Sequence, residues 1–243
     1  MKNRIDFKDK LKEEAKKINI ELNKDMLEKF EMYKSMLVEW NEKINLTTIT
    51  EDYEIIMKHF IDCLESIKYF KNGQKVIDVG TGAGLPGVVI AIYFEGKIEV
   101  TLIDSLNKRI LFLNEVIKNL KLKNVITIHA RAEELANNIK YREKYDIAVS
   151  RAVANVSVLL ELDTPYIKVG GNCLMLKSEK LEIELSEAKK AFNILNCKIN
   201  YIYNYTYKIG EEEFVRNILI IEKKRSTPSK YPRSFAKIKK EQL

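Results

Sequence analysis

Between Val76 and Gly87 the chain reads Val-Ile-Asp-Val-Gly-Thr-Gly-Ala-Gly-Leu-Pro-Gly, an apolar run that passes through alternate glycines and restarts at a proline. A short buried strand and a helix opened by Pro86 account for the two ends. The glycines between them let the backbone turn tightly and keep a Cβ out of the way of an approaching ligand. A plain turn would not need three of them, because each loses more conformational entropy on folding than any other residue. The segment therefore predicts a strand, a ligand-binding loop and a helix, the repeating unit of a parallel sheet.

The spacing Gly82-x-Gly84-x-x-Gly87 fits the dinucleotide fingerprint, and charge separates the candidate ligands. A dinucleotide brings a pyrophosphate to bare amides at a helix start. S-adenosylmethionine brings an ammonium, a sulfonium and a carboxylate, with no phosphate. Asp78, two residues before Gly80, places a negative charge where it repels pyrophosphate and favours a cationic amino acid, directly or through water. The segment thus favours S-adenosylmethionine, held at Asp78, Gly80, Gly82 and Gly84.

Around this unit the pattern alternates. Strands are predicted at Lys75–Val79, Ile98–Asp104, Val125–His129, Asp146–Ser150 and Asn172–Lys177, with helices at Pro86–Tyr93, Leu106–Leu120, Val156–Ile167 and Leu181–Leu195. Lys198–Tyr207 and Phe214–Glu222 follow as two strands with no helix between them, which makes an antiparallel closing hairpin. The expectation is an α/β fold: a mostly parallel, seven-stranded, doubly wound sheet with an antiparallel final strand. Residues 1–72 read as a helical N-terminal cap, with one amphipathic helix from Lys8 to about Trp40 and another over Tyr53–Phe70. Residues 73–222 form the ligand-binding core and 223–243 a basic C-terminal tail.

In a doubly wound sheet the ligand lies at the carboxyl edge, so the strand exits are where chemistry is sought. Asp104 ends the second strand about twenty residues past the glycines, where a ribose diol finds its acceptor; the competing role is N-cap of the next helix, which Ser105 also suits. Ala132 and Glu133 follow the third strand and either read an adenine edge or start a helix with acidic residues in its first turn. Arg151 ends the fourth strand and orients a phosphate, a cofactor carboxylate or a guanine O6, or else forms a surface ion pair. That exit carries neither the Asn/Asp-Pro-Pro-aromatic run expected of an exocyclic-amine methylase nor the cysteine of a pyrimidine C5 methylase.

Composition narrows the classes further. The 243 residues, 46% hydrophobic and 32% charged, suit one folded domain with a short appendage and exclude a disordered chain. The longest apolar run, Val88 to Phe94, is far short of a membrane span, and the first residues hold no signal-peptide core, so a cytoplasmic protein is expected. Cys63, Cys173 and Cys197 are odd in number and unpaired in pattern, and His59 and His129 are isolated, which disfavours disulfides and a metal site; the reaction is expected not to need the histidines. Residues 222–243 hold eight basic residues against Glu222 and Glu241, so most of the net charge of +7 lies there. Such an end either grips a polyanion or is merely solvated.

Taken together, these residues resemble one family, the bacterial 16S ribosomal RNA guanine-N7 methyltransferases, also called glucose-inhibited division protein B. The resemblance rests on Trp40-Asn-Glu-Lys-Ile-Asn-Leu-Thr48, His59-Phe-Ile-Asp62, the 78–87 glycine segment, Leu102-Ile-Asp-Ser105, Lys108-Arg109, Arg131-Ala-Glu-Glu134, Ser150-Arg-Ala152 and Lys230-Tyr-Pro-Arg233. It covers nearly the whole chain. Two departures are visible: Cys63 stands where the family commonly has Ser, and the sequence after Arg233 lacks the frequent Gly-Thr-Pro. The resemblance implies a Rossmann-like class I methyltransferase that uses S-adenosylmethionine, with cofactor contacts at Gly80, Leu85, Ala132, Glu133 and Arg151. It implies 16S ribosomal RNA or the small ribosomal subunit as partner, no membrane, no metal, and a monomer.

The implied chemistry agrees with the inventory. Guanine N7 has an in-plane lone pair and no proton at neutral pH, so no general base is required and Arg151 is the positioning candidate. Lys43, Asn45, Arg131, Lys177, Lys223, Lys224, Arg225, Lys230 and Arg233 are expected to face RNA, and the tail is expected to be removable without touching cofactor binding. Competing readings are a ribose 2′-O methyltransferase using Lys43, Asp146 and Lys177, a dinucleotide-dependent oxidoreductase, and a non-catalytic RNA-binding assembly factor.

Overall fold

The computed structural model describes residues 6–243. Two helices come first, α1 (Phe7–Lys17) and α2 (Lys24–Ile44), where the amphipathic pattern predicts one. The pattern runs through the break because both helices bury the same side. Two asparagines make it: Asn19 takes a left-handed φ of 59°, and the side chain of Asn23 accepts the amide of Met26 at 2.8 Å as the N-cap of α2. Residues 52–64 form a helical rod in three pieces, α3 (Asp52–Glu54), a π-helical turn Ile55–Ile61 and α4 (Asp62–Leu64). A π turn is wider than an α turn and tends to occur at functional sites.

The alternating part follows as β1 (Lys75–Val79), α5 (Gly87–Phe94), β2 (Glu99–Asp104), α6 (Asn107–Asn119), β3 (Val125–His129), α7 (Ala132–Leu135), β4 (Tyr145–Arg151), α8 (Val156–Asp163) and β5 (Ile167–Ser178). Then come α9 (Leu181–Glu187), α10 (Lys189–Ile194), β6 (Cys197–Ile209), β7 (Glu212–Lys223) and α11 (Phe235–Lys240). The seven strands form one sheet in the order β3-β2-β1-β4-β5-β7-β6. The first five are parallel and β7 runs antiparallel to both neighbours, as the sequence predicts. From β1 the chain winds outward through β2 and β3, then returns to place β4 on the other side. The exits of β1 and β4 therefore diverge and leave a crevice at the carboxyl edge.

The central strands β1, β2 and β4 bury both faces, with successive residues serving different cores. Val76, Val100, Leu102, Ile147 and Val149 pack on the side of α1, α2, α5 and α6, whereas Ile77, Val79, Ile103 and Ala148 pack on the side of α8, α9 and α10. The N-terminal helices share the first core.

The segment after β7 belongs to the second core, which corrects the expectation of a free basic tail. Tyr231, Ile238 and Leu243 are buried there. Arg142 donates to the carbonyls of Thr227 and Tyr231 at 3.0 Å each, and Ser157 Oγ donates to the Leu243 carbonyl at 2.9 Å. The charge count did not reveal the apolar residues spaced between the lysines. Among the described residues no helix is long and apolar enough to cross a membrane.

Candidate active site

The glycine loop is left-handed at each alternate position, with φ of 69° at Gly80, 60° at Gly82 and 97° at Gly84, values that residues with a Cβ adopt only at a cost. Asp78 lies beneath it. Its Oδ2 accepts from Thr81 Oγ1 at 2.6 Å and from the Gly87 amide at 2.8 Å, and the side chain is fully buried. Burial pushes this carboxyl up to about 6, opposed by those two donors. Asp78 thus braces the loop from beneath, while its other oxygen, Oδ1, is buried without a protein partner. Gly84 also answers to packing. A Cβ there would meet Val88 at 2.6 Å, Leu113 at 2.8 Å and the Tyr33 hydroxyl at 3.0 Å, so its glycine serves the packing of helices against the loop.

Above the loop lies a cavity of about 450 Å³, lined by the exits of β1, β2, β3 and β4. Gly80, Gly82 and Leu85 line it from the loop, Asp104 from β2, Ala132 and Glu133 from the start of α7, and Arg151 from β4. Asp104 joins two tasks that the sequence left as alternatives. One oxygen accepts the Leu106 amide at 2.9 Å, while the other takes the Gly82 amide at 2.9 Å and Arg109 at 3.1 Å. It fixes the loop against the start of α6 and still faces the cavity; the N-cap position itself falls on Leu106, not on Ser105.

At the exit of β4, Arg151 points into a nest built by the helical rod. Its NH1 donates to the Lys58 carbonyl at 2.8 Å and to Asp62 Oδ2 at 3.0 Å, and its NH2 donates to His59 Nδ1 at 3.2 Å. Asp62 Oδ1 also accepts the Tyr205 hydroxyl at 2.8 Å. His59 Nε2 stands 3.0 Å from Thr47 Oγ1. Because a guanidinium only donates, Nδ1 must accept, and the ring is the neutral Nε2–H tautomer. Burial, then the charge of Arg151, pushes the imidazole down to about 3. The next residue, Ala152, has a left-handed φ of 56°, a strain that marks the turn as held for a purpose.

Composition had set both histidines aside, yet His59 lines the cavity. The signal was present in His59-Phe-Ile-Asp62, where a spacing of three puts both side chains on one helix face. His129 stays outside the cavity wall, bonded to the Ser105 carbonyl at 3.0 Å.

A second cavity of about 310 Å³ adjoins the first and shares His59, Arg151 and Ala152 with it. Lys58, Asp62, Lys177, Ser178 and Arg216 complete its polar lining.

The expected RNA-facing residues divide. Lys223 is fully buried: its ammonium donates to Glu143 at 2.7 Å and to the carbonyls of Thr164 and Ile167 at 2.9 Å each. Arg233 forks onto the buried carboxylate of Glu161 at 2.8 and 2.7 Å. Lys177 is buried against Glu184 at 2.6 Å and the Ala154 carbonyl at 2.8 Å, although it borders the second cavity. The first two are structural cations, and charge alone did not distinguish them. Lys43, Arg131, Lys224, Arg225 and Lys230 are exposed, and Asn45 is the left-handed C-cap of α2. The ribose-methylating set does not assemble, because Asp146 opens β4 five residues, or roughly 16 Å, before Arg151. There it accepts the Lys75 amide at 2.8 Å and Lys168 at 3.0 Å.

Residues 26–212 match the GidB family, described as rRNA small subunit methyltransferase G. The chain belongs to this family. The GidB match extends to curated relatives named ribosomal RNA small subunit methyltransferase G. That of Clostridium perfringens strain 13 is 48% identical over 241 residues, covering 98% of this chain and 100% of the relative. That of Clostridium tetani is 48% identical over 228 residues, covering 93% and 94%. Among solved structures, M. jannaschii TYW2 in complex with AdoMet aligns with a TM-score of 0.51 at 20% identity, covering 67% of this chain and 76% of that one. TrmN from Thermus thermophilus aligns with a TM-score of 0.52 at 14% identity, covering 69% and 53%. These two show the fold. As a GidB member the chain is a methyltransferase enzyme that uses S-adenosylmethionine and acts on ribosomal RNA.

Proposed function

We propose that the enzyme methylates N7 of a guanine in 16S ribosomal RNA, with S-adenosylmethionine in the first cavity and the guanine in the second. S-adenosylmethionine supplies an electrophilic methyl group on a sulfonium. The cavity fits it in size and chemistry. Its volume is that of a small-molecule site, its walls at Leu85, Ile103, Ala132 and Leu162 are apolar, and its charged lining mixes Asp104 and Glu133 with Arg109, Arg131 and Arg151, which suits a ligand carrying both an ammonium and a carboxylate. Gly80, Gly82 and Leu85 hold the amino-acid end along the loop. Asp104 accepts from the ribose, and Ala132 and Glu133 read the adenine.

The observation that carries the choice of N7 is the hydrogen-bonding state of His59. Its one lone pair is taken by Arg151, so it cannot accept a proton. His59 is therefore no base for an acceptor that must be deprotonated, such as a ribose hydroxyl. Guanine N7 needs none. The residues then act by position: Asp62, His59 and the Lys58 carbonyl fix Arg151, whose guanidinium borders both cavities and donates to an acceptor such as O6. Holding an acceptor in line for attack contributes up to about 7–11 kcal/mol in favourable cases.

On the RNA side, Arg131 at the cavity rim and the exposed Lys43, Asn45, Lys224, Arg225 and Lys230 supply phosphate contacts. The N7 edge lies in the deep groove of an RNA helix, so the target is a loop or an open, partly assembled small subunit. A monomer in the cytoplasm suits that task.

Labelled methyl transfer from S-adenosylmethionine to small subunits from cells lacking the enzyme tests the reading. Nuclease digestion and mass analysis should place the label on guanine base. Label on ribose would overturn the assignment. Arg151→Ala should lower transfer on the order of 10²-fold while the circular dichroism stays unchanged.

A further inference from the structure

The C-terminal segment supplies a side chain to the first cavity. Phe235, the first residue of α11, lines it together with Ala132 and Leu162, and the residue is still 40% exposed. A large apolar ring is left in water at this point although the backbone around it is firmly held. Two residues earlier, Arg233 donates through its backbone amide at 2.8 Å and through its fork to Glu161, the neighbour of Leu162. Three residues later, Ile238 is buried in the second core. On a helix that spacing puts Phe235 and Ile238 on one side, so anchoring Ile238 aims Phe235 at the same body of the protein.

The opposite wall is fixed to the same frame. Tyr166, just past α8, donates its hydroxyl to the Ala132 carbonyl at 2.6 Å and so ties the start of α7 to the end of α8. Asn155, on the loop leaving β4, donates to the Gln242 side chain at 2.6 Å. Ala132, Leu162 and Phe235 all line the cavity, and the segments that carry them are fastened to one another through α8.

We propose that the C-terminal segment is part of the cofactor site and that Phe235 is the apolar wall for the adenine end of S-adenosylmethionine, a specificity-determining contact; this rests on the cofactor assignment above. A planar ring half in water beside a purine-sized space gains burial and stacking when the purine enters. The basic residues around it then owe their position to the cofactor site as well as to RNA.

Calorimetric titration of the full chain with S-adenosylhomocysteine and with adenosine tests this. Phe235→Ala should weaken both ligands about tenfold, Phe235→Tyr should restore them, and the thermal midpoint of the unliganded variants should stay near wild type. In steady state KM for S-adenosylmethionine should rise with kcat and KM for RNA unchanged. Unchanged affinity in Phe235→Ala would overturn the proposal, as would a rise confined to KM for RNA. Failure of the wild-type chain to bind S-adenosylhomocysteine would remove the cofactor reading itself and this inference with it.

Discussion

Arg151 donates to Nδ1 of His59 at 3.2 Å, and this bond decides the protonation state of the ring. A second proton on the imidazole would have to sit on Nδ1, facing a group that can only donate. The ring therefore stays neutral through the range in which a free histidine titrates, and its pKa falls to about 3. Arg151 in turn is held by Asp62 and the Lys58 carbonyl, so the nest behaves as one rigid donor array.

It follows that His59 should contribute no inflection near 6.5 to kcat measured between pH 5.5 and pH 8, so the profile of His59→Gln should have the same shape as that of wild type. The sign for stability is also set. Unfolded His59 takes up a proton below about 6.5 and the folded ring does not, so this residue makes folding less favourable as pH falls from 6.5 toward 3. A kinetic inflection near 6.5 that disappears in His59→Gln would contradict the neutral assignment.

Lys223→Met should cost about 3 kcal/mol of stability in urea unfolding, because it leaves Glu143 and the carbonyls of Thr164 and Ile167 without their shared donor. The same substitution should leave the salt dependence of RNA binding unchanged, since a buried ammonium neutralises no phosphate. Lys230→Ala, at an exposed site, should show the opposite pattern. A flattened salt slope in Lys223→Met would restore the sequence-based expectation.

That reversal shows where sequence reading stops. The strands, their mostly parallel run and the ligand loop followed from the alternation of apolar runs and from the glycines, because these are written in local periodicity. Asp104, Ala132 and Glu133 line one cavity because strand exits share one edge. The roles of Lys223 and Arg233 depend on partners far along the chain: Glu143 lies 80 residues from Lys223 and Glu161 lies 72 from Arg233. A carboxylate or an ammonium reads the same in sequence whether it faces a ligand or a buried partner. His59 was set aside for a similar reason, since its importance comes from Arg151, 92 residues away.

Asp163 gives a second pH-dependent prediction, of opposite sign to that of His59. The side chain is fully buried, Ser150 Oγ donates to Oδ2 at 2.9 Å, and Oδ1 has no partner. Burial raises the carboxyl from 3.8 to about 8, with Ser150 opposing and Asp78 adding to the rise. Between those values the folded chain holds a proton that the unfolded chain releases, so stability declines as pH rises through about 8. Asp163→Asn keeps an acceptor for Ser150 and removes the titration. Its urea midpoint should fall less than that of wild type from pH 5 to pH 8.5, the gap widening by at least about 1 kcal/mol. Equal pH dependence in the two chains would mean that the buried carboxyl is ionised throughout. His59 contributes equally to both chains and drops out of the difference.

The two inner glycines of the loop should fail in different ways when a methyl is added. At Gly84 the new Cβ would press on Val88, Leu113 and the Tyr33 hydroxyl at 2.6, 2.8 and 3.0 Å, in a backbone with φ of 97°. Tyr33 cannot yield easily, because it is fully buried and its hydroxyl donates to the Ala83 carbonyl at 2.7 Å. Gly84→Ala should therefore lose about 3 kcal/mol or more, from crowding and left-handed strain together. At Gly82 the nearest atom to a new Cβ is the Gly80 carbonyl oxygen at 4.0 Å, and φ of 60° is the left-handed well itself. Gly82→Ala should cost only about 1 kcal/mol. Its amide, however, is the one that Asp104 holds at 2.9 Å, and the residue lines the cofactor cavity. The Gly82 variant should stay folded and bind S-adenosylhomocysteine more weakly, while the Gly84 variant should lose stability before any ligand is added. Urea unfolding and ligand titration on both variants check the pair, and the reverse ranking would show that Gly84, not Gly82, is the glycine against which the cofactor rests.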